Sequence, residues 1–175
     1  MARFFGTPLG ANVGDFFPSR RALPEALLHR PLQAGTSGRK KNGADTIMIS
    51  GGYVDDEFSD DEVFYPGHGV NAGGRQAADQ SLPVSGNAAL VETFNRRYPV
   101  RPIPYVDAAI PRTIAYRYEG LFWVVSYNFS AGTDGCKIER FRSTPHPVTA
   151  CARFAIGTVS ARPPKLVTCS LPPTP

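Results

Sequence analysis

The stretch LFWVVSYNFSAGTDGCKIERFR (121–142) shows most directly which class of fold the sequence adopts. Its first part, LFWVVSY (121–127), is rich in β-branched and aromatic residues, which favour strands. AGTDG (131–135) then supplies the glycines and the aspartate that are typical of a hairpin turn. CKIERFR (136–142) follows with an imperfect alternation of side chains. The stretch therefore predicts an antiparallel β-hairpin.

The sequence on either side of this hairpin also consists of short apolar runs separated by turn residues. TIMIS (46–50) is a β-branched run that ends at two glycines, and EVFY (62–65) stops at Pro66-Gly67. The chain contains 17 glycines and 17 prolines, which fall between such runs. This pattern predicts many short strands joined by tight turns.

Two segments predict helices. ALPEALLHR (22–30) suits a short helix, with a proline near its first turn. NAALVETFNRR (87–97) is the better candidate, with Asn87 as the predicted N-cap. Leu90 and Phe94 are spaced i, i+4 and would lie on one apolar face.

The charge of the chain is divided unevenly between one acidic segment and a basic remainder. The 175 residues fit one domain, and a hydrophobic content of 42% is enough for a packed core. Residues 55–62 hold six of the fifteen acidic residues, which leaves nine acidic against 19 basic residues elsewhere. This imbalance suits a polyanionic partner such as nucleic acid, although an inert basic surface would have the same composition.

Cysteine usage and hydropathy exclude several classes of protein. The three cysteines form no C-x-x-C pair, so neither a disulfide framework nor a zinc site is expected. The N-terminus has no apolar run of signal-peptide type, and no run approaches the roughly 20 residues that span a bilayer. We therefore expect a soluble intracellular protein that has no cofactor, no metal and no membrane partner.

Six stretches, taken in order, resemble the SRA (SET- and RING-associated) or YDG family over residues 4 to 145. They are FGTPLGANVGDFFPSRRAL (5–23), LHRPLQAGTSGRKKNGADTIMISGGYVDD (28–56), DEVFYPGHG (61–69), ADQSLPVSGNAAL (78–90) followed by PVR (99–101), YRYEGLFWVV (116–125) and GCKIERFR (135–142). The resemblance implies an α+β, mainly β fold: a strongly curved, barrel-like (PUA-like) sheet with a few short flanking helices. Residues 146–175 match nothing in the family. We expect a modified-DNA-binding domain over 1–145 and a poorly ordered tail over 146–175.

The resemblance also implies that the domain binds double-stranded DNA carrying 5-methyl- or 5-hydroxymethylcytosine and flips that base out of the duplex. Flipping costs a few kcal/mol, and stacking on aromatic rings returns roughly 1–3 kcal/mol per base. Tyr53 and Tyr65 are the predicted stacking faces. Asp56 is the predicted reader of cytosine, because a carboxylate accepts from the N4 amine and is repelled by thymine O4. The predicted pocket consists of Ser50, Gly51, Gly52, Tyr53, Asp56, Tyr65, Pro66 and His68. The 5-methyl group is expected in a small apolar gap near Ser50, Gly51, Tyr53 and the turn of residues 66–68.

The other acids of this segment are expected to be solvated; they are Asp55, Glu57, Asp60, Asp61 and Glu62. A calcium loop is the competing reading of this run, but the run lacks the spacing of an EF-hand.

The segment HRPLQAGTSGRKK (29–41) is predicted to hold the rest of the DNA interface. By family position, Gln33 enters the hole that the flipped base leaves, from the minor groove. The predicted phosphate contacts are Arg30, Arg39, Lys40 and Lys41. An exposed turn with a polar glutamine is the alternative reading, and His29 is expected to have a structural role.

The sequence departs from the family pattern at three places within the domain. The YDG signature reads Tyr118-Glu119-Gly120, and the threonine that usually follows the second pocket tyrosine is Pro66, which has no backbone N–H. The stretch from Gly69 to Asp79 is short, so the longer major-groove finger of some relatives is expected to be missing.

No motif in the sequence predicts an enzyme. The three histidines are scattered, and the patterns of zinc deaminases and of G-x-S-x-G hydrolases are absent from the sequence. The leading interpretation is a DNA-binding reader that works with a nuclease or another effector partner, in the cytoplasm or nucleoid of a bacterium or in a eukaryotic nucleus. The alternative is the recognition part of a modification-dependent restriction endonuclease whose nuclease site is unrecognised or missing. An RNA-modification-associated β-barrel is a third interpretation.

Overall fold

The structure is a computed structural model that describes residues 4–49, 55–59, 61–72, 75–108 and 113–155. These residues form short strands and a few helices. The strands are β1 (Phe16–Phe17), β2 (Thr36–Arg39), β3 (Gly43–Ile49), β4 (Glu57–Phe58), β5 (Val63–Pro66), β6 (Asn71–Ala72), β7 (Arg75–Gln76), β8 (Pro99–Ala108), β9 (Thr113–Arg117), β10 (Phe122–Ala131) and β11 (Lys137–Pro145). The helices are α1 (Ala22–Glu25), α2 (Ser85–Arg96) and α3 (Pro147–Ala155).

The predicted hairpin is the long antiparallel pair of β10 and β11. Its pairs run from Phe122 opposite Pro145 to Ala131 opposite Lys137, with one bulge between Val124 and Ser126. In the turn, the N–H of Gly132 donates to the carbonyl of Cys136 at 2.8 Å. The hairpin prediction is therefore confirmed.

Most of the strands belong to one sheet, in the order β1-β9-β8-β10-β11-β5-β4. β3 joins this sheet by a parallel pairing with β8, and β2 pairs antiparallel with β3. Strands β6 and β7 form a separate small hairpin. The prediction of a mainly β fold with short flanking helices is confirmed. Across the described ranges the strand order is a branched path that does not close into a barrel.

Strand β8 was not predicted from the sequence. It contains three prolines, Pro99, Pro102 and Pro104, in a segment that reads as turns and extended loop. Prolines are tolerated here because the strand is extended and because alternate residues, such as Arg101 and Ile103, keep an N–H for pairing. The parallel pairing with β3 covers residues 101–104.

The helices differ from the predictions at their ends. α1 stops at Glu25, well short of the predicted end at residue 30, and Leu27 adopts a positive φ of 56°. α2 begins at Ser85 with Val84 as its N-cap, so the prediction that Asn87 caps the helix is wrong. Asn87 lies in the first turn of α2, where its side chain bonds to the backbone of His68.

Helix α2 packs against β2, β3 and β10 and closes the larger apolar cluster of the fold. Leu90 is fully buried there with Ile47, Phe122 and Phe141, and Phe94 packs against the same cluster. Each such buried side chain stabilises the fold by about 1.5–3 kcal/mol relative to an exposed position. The cluster supports β3 and β5, the strands that border the candidate functional site.

Two of the family-like motifs have structural roles away from that site. The Arg101 guanidinium is 2% exposed, lies 3.5 Å from the Asp45 carboxylate, and donates to the carbonyls of Phe4 and Gly6 at 3.0 and 2.7 Å. It thereby attaches the N-terminal segment to the sheet. The signature tyrosine, Tyr118, is fully buried and hydrogen bonds through its backbone to residues 14 and 15.

The segment just after residue 145 differs from the sequence prediction. Residues 147–155 form α3, and Thr149, 2% exposed, anchors this helix to the start of β10. Its hydroxyl accepts from the N–H of Leu121 at 2.6 Å and donates to the carbonyl of Leu121 at 2.9 Å. The rest of the predicted tail, residues 156–175, lies outside the described residues.

Candidate functional site

A pocket of about 140 Å³ opens between the segment after His29 and the end of β5. The residues that line it come from both segments, from β3 and from the N-terminal region. They are Arg20, Gln33, Ala34, Gly35, Met48, Tyr65, Gly67 and His68. Gln33 was predicted from one motif, and Tyr65 and His68 from a second one; the fold brings these three residues to one cavity.

Tyr65 is held so that its ring forms a fixed wall of the pocket. It is 5% exposed, its hydroxyl lies 3.2 Å from Thr36 Oγ1, and its backbone pairs with Phe141 on β11. A Cβ on Gly35 would lie only 2.8 Å from the Tyr65 hydroxyl, so the lack of a side chain at residue 35 lets the two segments approach. The ring is therefore an ordered part of the pocket lining.

The loop that carries Gln33 is fixed at its base. The carbonyl of Ala34 accepts hydrogen bonds from the Arg20 guanidinium and from His29 Nε2, the latter at 3.0 Å. Burial lowers the pKa of His29 to about 4, so the ring is neutral at pH 7 and carries its proton on Nε2. The carbonyl of Gly35 also accepts from the N–H of Met48 at 2.8 Å. Gln33 therefore stands exposed on a loop whose backbone is held.

The turn of residues 66–68, which we call the pocket wall, lines the cavity through Gly67 and His68, whereas Pro66 is not among the lining residues. The turn is held by Gln80, and by Asn87, for which the sequence predicted a different role. The N–H of Gly67 donates to the carbonyl of Glu139 at 2.6 Å, and Gln80 Nε2 donates to the carbonyl of Gly67 at 2.7 Å. Asn87 bonds to both backbone groups of His68. Gln80 and Asn87 both belong to the family-like stretch 78–90, and this membership was the feature of the sequence that could have indicated their role at the site.

The acidic segment is tied to the β10–β11 hairpin. Asp55 accepts from the N–H and the hydroxyl of Thr133 at 3.1 and 2.7 Å. Glu57 forms an ion pair with Arg140, and Glu62 forms one with Arg142. Glu57 is exposed, as expected, whereas Asp55 and Glu62 are half-buried. All three also have partners on the hairpin, because β4 and β5 lie near two arginines of β11. Asp61 is exposed, and Asp60 lies outside the described residues.

The second half of the predicted pocket falls largely outside the described residues, which exclude Ser50, Gly51, Gly52 and Tyr53. Asp56 is half-buried and both of its carboxylate oxygens are closed off from solvent, but it is not among the described residues that line the pocket. Its contact with a base remains a prediction.

The predicted phosphate contacts fall at two places. Arg30 is exposed at the start of the Gln33 loop. Arg39 is exposed at the end of β2, and Lys40 and Lys41 are exposed in the turn that follows it. They lie four residues or more beyond Gly35, which is roughly 13 Å along an extended strand. These three residues therefore lie at the far end of the β2–β3 hairpin from the Gln33 loop, and their contact with phosphates stays a prediction.

At that far end, two further arginines enlarge the positive surface. Arg96 and Arg97 are exposed at the end of α2, and Arg96 Nη2 lies 3.5 Å from the carbonyl of Lys41. We call the five residues the basic corner; they are Arg39, Lys40, Lys41, Arg96 and Arg97. Glu92, which pairs with Arg96, offsets part of this charge.

Within the described ranges, no three histidine, cysteine, aspartate or glutamate side chains are grouped closely enough to bind a metal ion. The helices in those ranges also include none with the length and apolar character that a membrane span needs.

Comparison with known proteins agrees with the motifs. The family model described as the SAD/SRA domain matches residues 4–146 of this sequence. The chain belongs to the SAD/SRA family. The SRA domain of SUVH5 in complex with fully methylated CG DNA is similar to this SRA domain, with a TM-score of 0.70, 34% identity, and coverage of 82% of this chain and 95% of that one. The modification-dependent TagI restriction endonuclease is similar with a TM-score of 0.76 and 36% identity, over 86% of this chain and 55% of that one.

The full-length relatives are much longer than the matched region. The H3 lysine-9 specific histone-lysine N-methyltransferase SUVH5 of Arabidopsis thaliana is 34% identical over 152 residues, which are 80% of this chain and 19% of that protein. This SRA domain therefore corresponds to about a fifth of that relative.

Proposed function

We propose that this SRA domain binds double-stranded DNA containing 5-methyl- or 5-hydroxymethylcytosine and holds the flipped base in the pocket beside Tyr65. The observation that carries the proposal is the cavity between Gln33 and Tyr65, both of whose described walls are held by hydrogen bonds. The similar SUVH5 SRA domain was solved with fully methylated CG DNA, and also with fully hydroxymethylated CG DNA.

The base is proposed to stack on Tyr65, with Tyr53 on its other face. Stacking worth roughly 1–3 kcal/mol per base offsets much of the few kcal/mol needed to flip it. Because the Tyr65 ring is already ordered in the free protein, little conformational entropy is lost when the base arrives.

The Watson–Crick edge of the base is proposed to be read from the side of residues 50–56. On the pocket wall, Pro66 has no N–H, the Gly67 N–H is bonded to Glu139, and the His68 N–H is bonded to Asn87. The wall therefore has no free backbone donor for cytosine N3 or O2. Backbone donors between Ser50 and Asp56 would serve these atoms, and the Asp56 carboxylate would accept from N4.

Gln33 is proposed to fill the hole that the base leaves, because it stands exposed on a held loop at the mouth of the pocket. Its amide both donates and accepts, so it can bond to the orphaned guanine. Arg30 would contact phosphates near the flipped base, and the basic corner would contact phosphates further along the duplex.

One binding experiment tests this function. The protein is titrated with one duplex sequence that carries unmodified, hemimodified or fully modified cytosine, at one stated salt concentration. A 2-aminopurine beside the modified cytosine reports flipping, because unstacking relieves its quenching. We expect tighter binding and a fluorescence rise with the modified duplexes. Equal affinity for all three duplexes, or binding without a rise, would count against the pocket.

The assembly in which the domain acts is a separate proposal. The 36% identity to TagI over 86% of this chain favours a modification-dependent restriction system as the second candidate. There the domain would recognise modified DNA, in the nucleoid or the nucleus, for a nuclease or another effector. Incubation with methylated plasmid and Mg²⁺ tests whether this chain cleaves DNA itself; we expect intact plasmid.

A further inference from the structure

The pocket wall is attached to the fold by two buried side chains that do not themselves line the pocket. Asn87, on the first turn of α2, is fully buried. Its Oδ1 accepts from the N–H of His68 at 2.6 Å, and its Nδ2 donates to the carbonyls of His68 and Ser81 at 3.0 and 3.1 Å. One side chain thus holds both backbone groups of a pocket residue.

Gln80 holds one backbone group of the neighbouring residue, the carbonyl of Gly67, and links it to β11. It is 5% exposed, its Nε2 donates to the carbonyl of Gly67 at 2.7 Å, and its Oε1 accepts from the N–H of Glu139 at 2.9 Å. Because the Gly67 N–H bonds to the Glu139 carbonyl, every backbone polar group of Gly67 and His68 has a partner inside the protein.

Gly67 itself lets the two amides approach. A Cβ on this residue would lie 2.7 Å from both Asn87 Oδ1 and Gln80 Oε1. A side chain at this position would therefore displace the wall or these two amides. Gly67, Gln80 and Asn87 therefore form one unit, which we call the wall clamp.

We propose that Gln80 and Asn87 are positioning residues, which hold the pocket wall at the distance where it contacts the 5-substituent of the flipped cytosine. This proposal rests on the proposed function. The attraction between the wall and one methyl group is short-ranged, because a gap of about 0.5–1 Å removes a quarter to a half of the dispersion energy. Stacking on Tyr65 and phosphate contacts do not depend on the wall in this way. Loosening the clamp should therefore reduce the preference for modified cytosine more than it reduces DNA binding.

Helix α2 offers a matched control at its other end. Thr93 is also fully buried, and its Oγ1 accepts from the Ala44 N–H at 2.6 Å and lies 2.9 Å from the Ala44 carbonyl. The hydroxyl also lies 2.9 Å from the carbonyl of Ala89, so its single proton is available to either carbonyl. Like Asn87, it contacts both backbone groups of one residue, but Ala44 does not line the pocket. Thr93→Val should destabilise the fold by a similar mechanism without moving the wall.

The test compares Asn87→Asp, Gln80→Leu and Thr93→Val with the wild type. Asn87→Asp keeps the acceptor for the His68 N–H and, when ionised, loses the donor to two carbonyls. For each folded protein, dissociation constants are measured for the same duplex with unmodified and with 5-methylated cytosine. We expect the ratio of the two constants to fall by about fourfold or more in the clamp variants, the equivalent of about one buried methyl group. In Thr93→Val the ratio should stay within about twofold.

The possible results separate the two proposals. A wild type without preference for the methylated duplex refutes the proposed function and this inference with it. A wild type with the preference, beside folded clamp variants that keep it, refutes only the positioning role. An equal loss in Thr93→Val also refutes it, because the effect would then follow general stability. If the clamp variants do not fold, Gly67→Ala carries the same expected loss, and amide exchange in the wild type should show a slow His68 N–H.

Discussion

Replacing Glu139 by glutamine should remove a pH-dependent loss of stability from this SRA domain. The Glu139 side chain is fully buried on β11, and neither carboxyl oxygen has a hydrogen-bond partner among the residues that the structure describes. Burial without a partner disfavours the charged form and raises the pKa of this carboxyl from 4.5 to about 7.

The sign of the effect follows from the two pKa values. Between pH 4.5 and about 7 the unfolded chain releases the Glu139 proton while the folded chain retains it. The stability contributed by the neutral form is therefore complete below pH 4.5, falls as the pH rises through this window, and is lost above about pH 7. A difference of this size corresponds to at most about 3 kcal/mol of unfolding free energy.

The assay is urea unfolding of the wild type and Glu139→Gln at several pH values from 4.5 to 8. We expect the variant to gain stability relative to the wild type by at most about 3 kcal/mol across this range. Glu57→Gln is the control, because Glu57 is exposed and paired with Arg140. A difference between wild type and Glu139→Gln that stays constant with pH would refute the reasoning.

Three further predictions concern the interface and the C-terminal segment. Asp56→Asn should lower the discrimination between 5-methylcytosine and thymine in a mismatched duplex, because an amide can also donate to thymine O4; an unchanged ratio of dissociation constants would place Asp56 away from the base edge. Replacing Lys40 and Lys41 by glutamine should weaken binding to modified and unmodified duplexes alike. The slope of log K against log salt should fall by about 0.9 for each phosphate that the protein no longer neutralises. An unaltered slope would exclude this end of the hairpin from the interface. Removing residues 156–175 should leave the melting temperature and the DNA affinity nearly unchanged. Removing 147–175 should lower the melting temperature, because the hydrogen bonds between Thr149 and Leu121 are then missing. Equal melting temperatures for the two truncations would contradict this.

The sequence by itself was sufficient where the signal is local. The β10–β11 hairpin follows from β-branched and aromatic residues on both sides of a glycine-rich turn, and the structure confirms it. The family follows from six ordered stretches, and the match over residues 4–146 confirms it. Where local signals conflict, the sequence-based prediction was incomplete. The prolines of β8 argue against a strand, and the strand that forms there is stabilised by its pairing with β3. The sequence also could not distinguish an N-cap role for Asn87 from its observed role. An amide near the start of a helix can bond either to the helix N-terminus or to another nearby backbone group.

Only the tertiary structure decided which distant groups meet. Glu57 and Arg140 are 83 residues apart in sequence, and Glu62 and Arg142 are 80 apart, so no local pattern could pair them. The same holds for the Asn87 side chain on the His68 backbone, which depends on the packing of α2 beside the end of β5. Composition and spacing determine which elements form, because propensity and turn chemistry act over a few residues. The positions of charges and amides around the pocket depend on how those elements pack, because hydrogen bonds and ion pairs require contact in space.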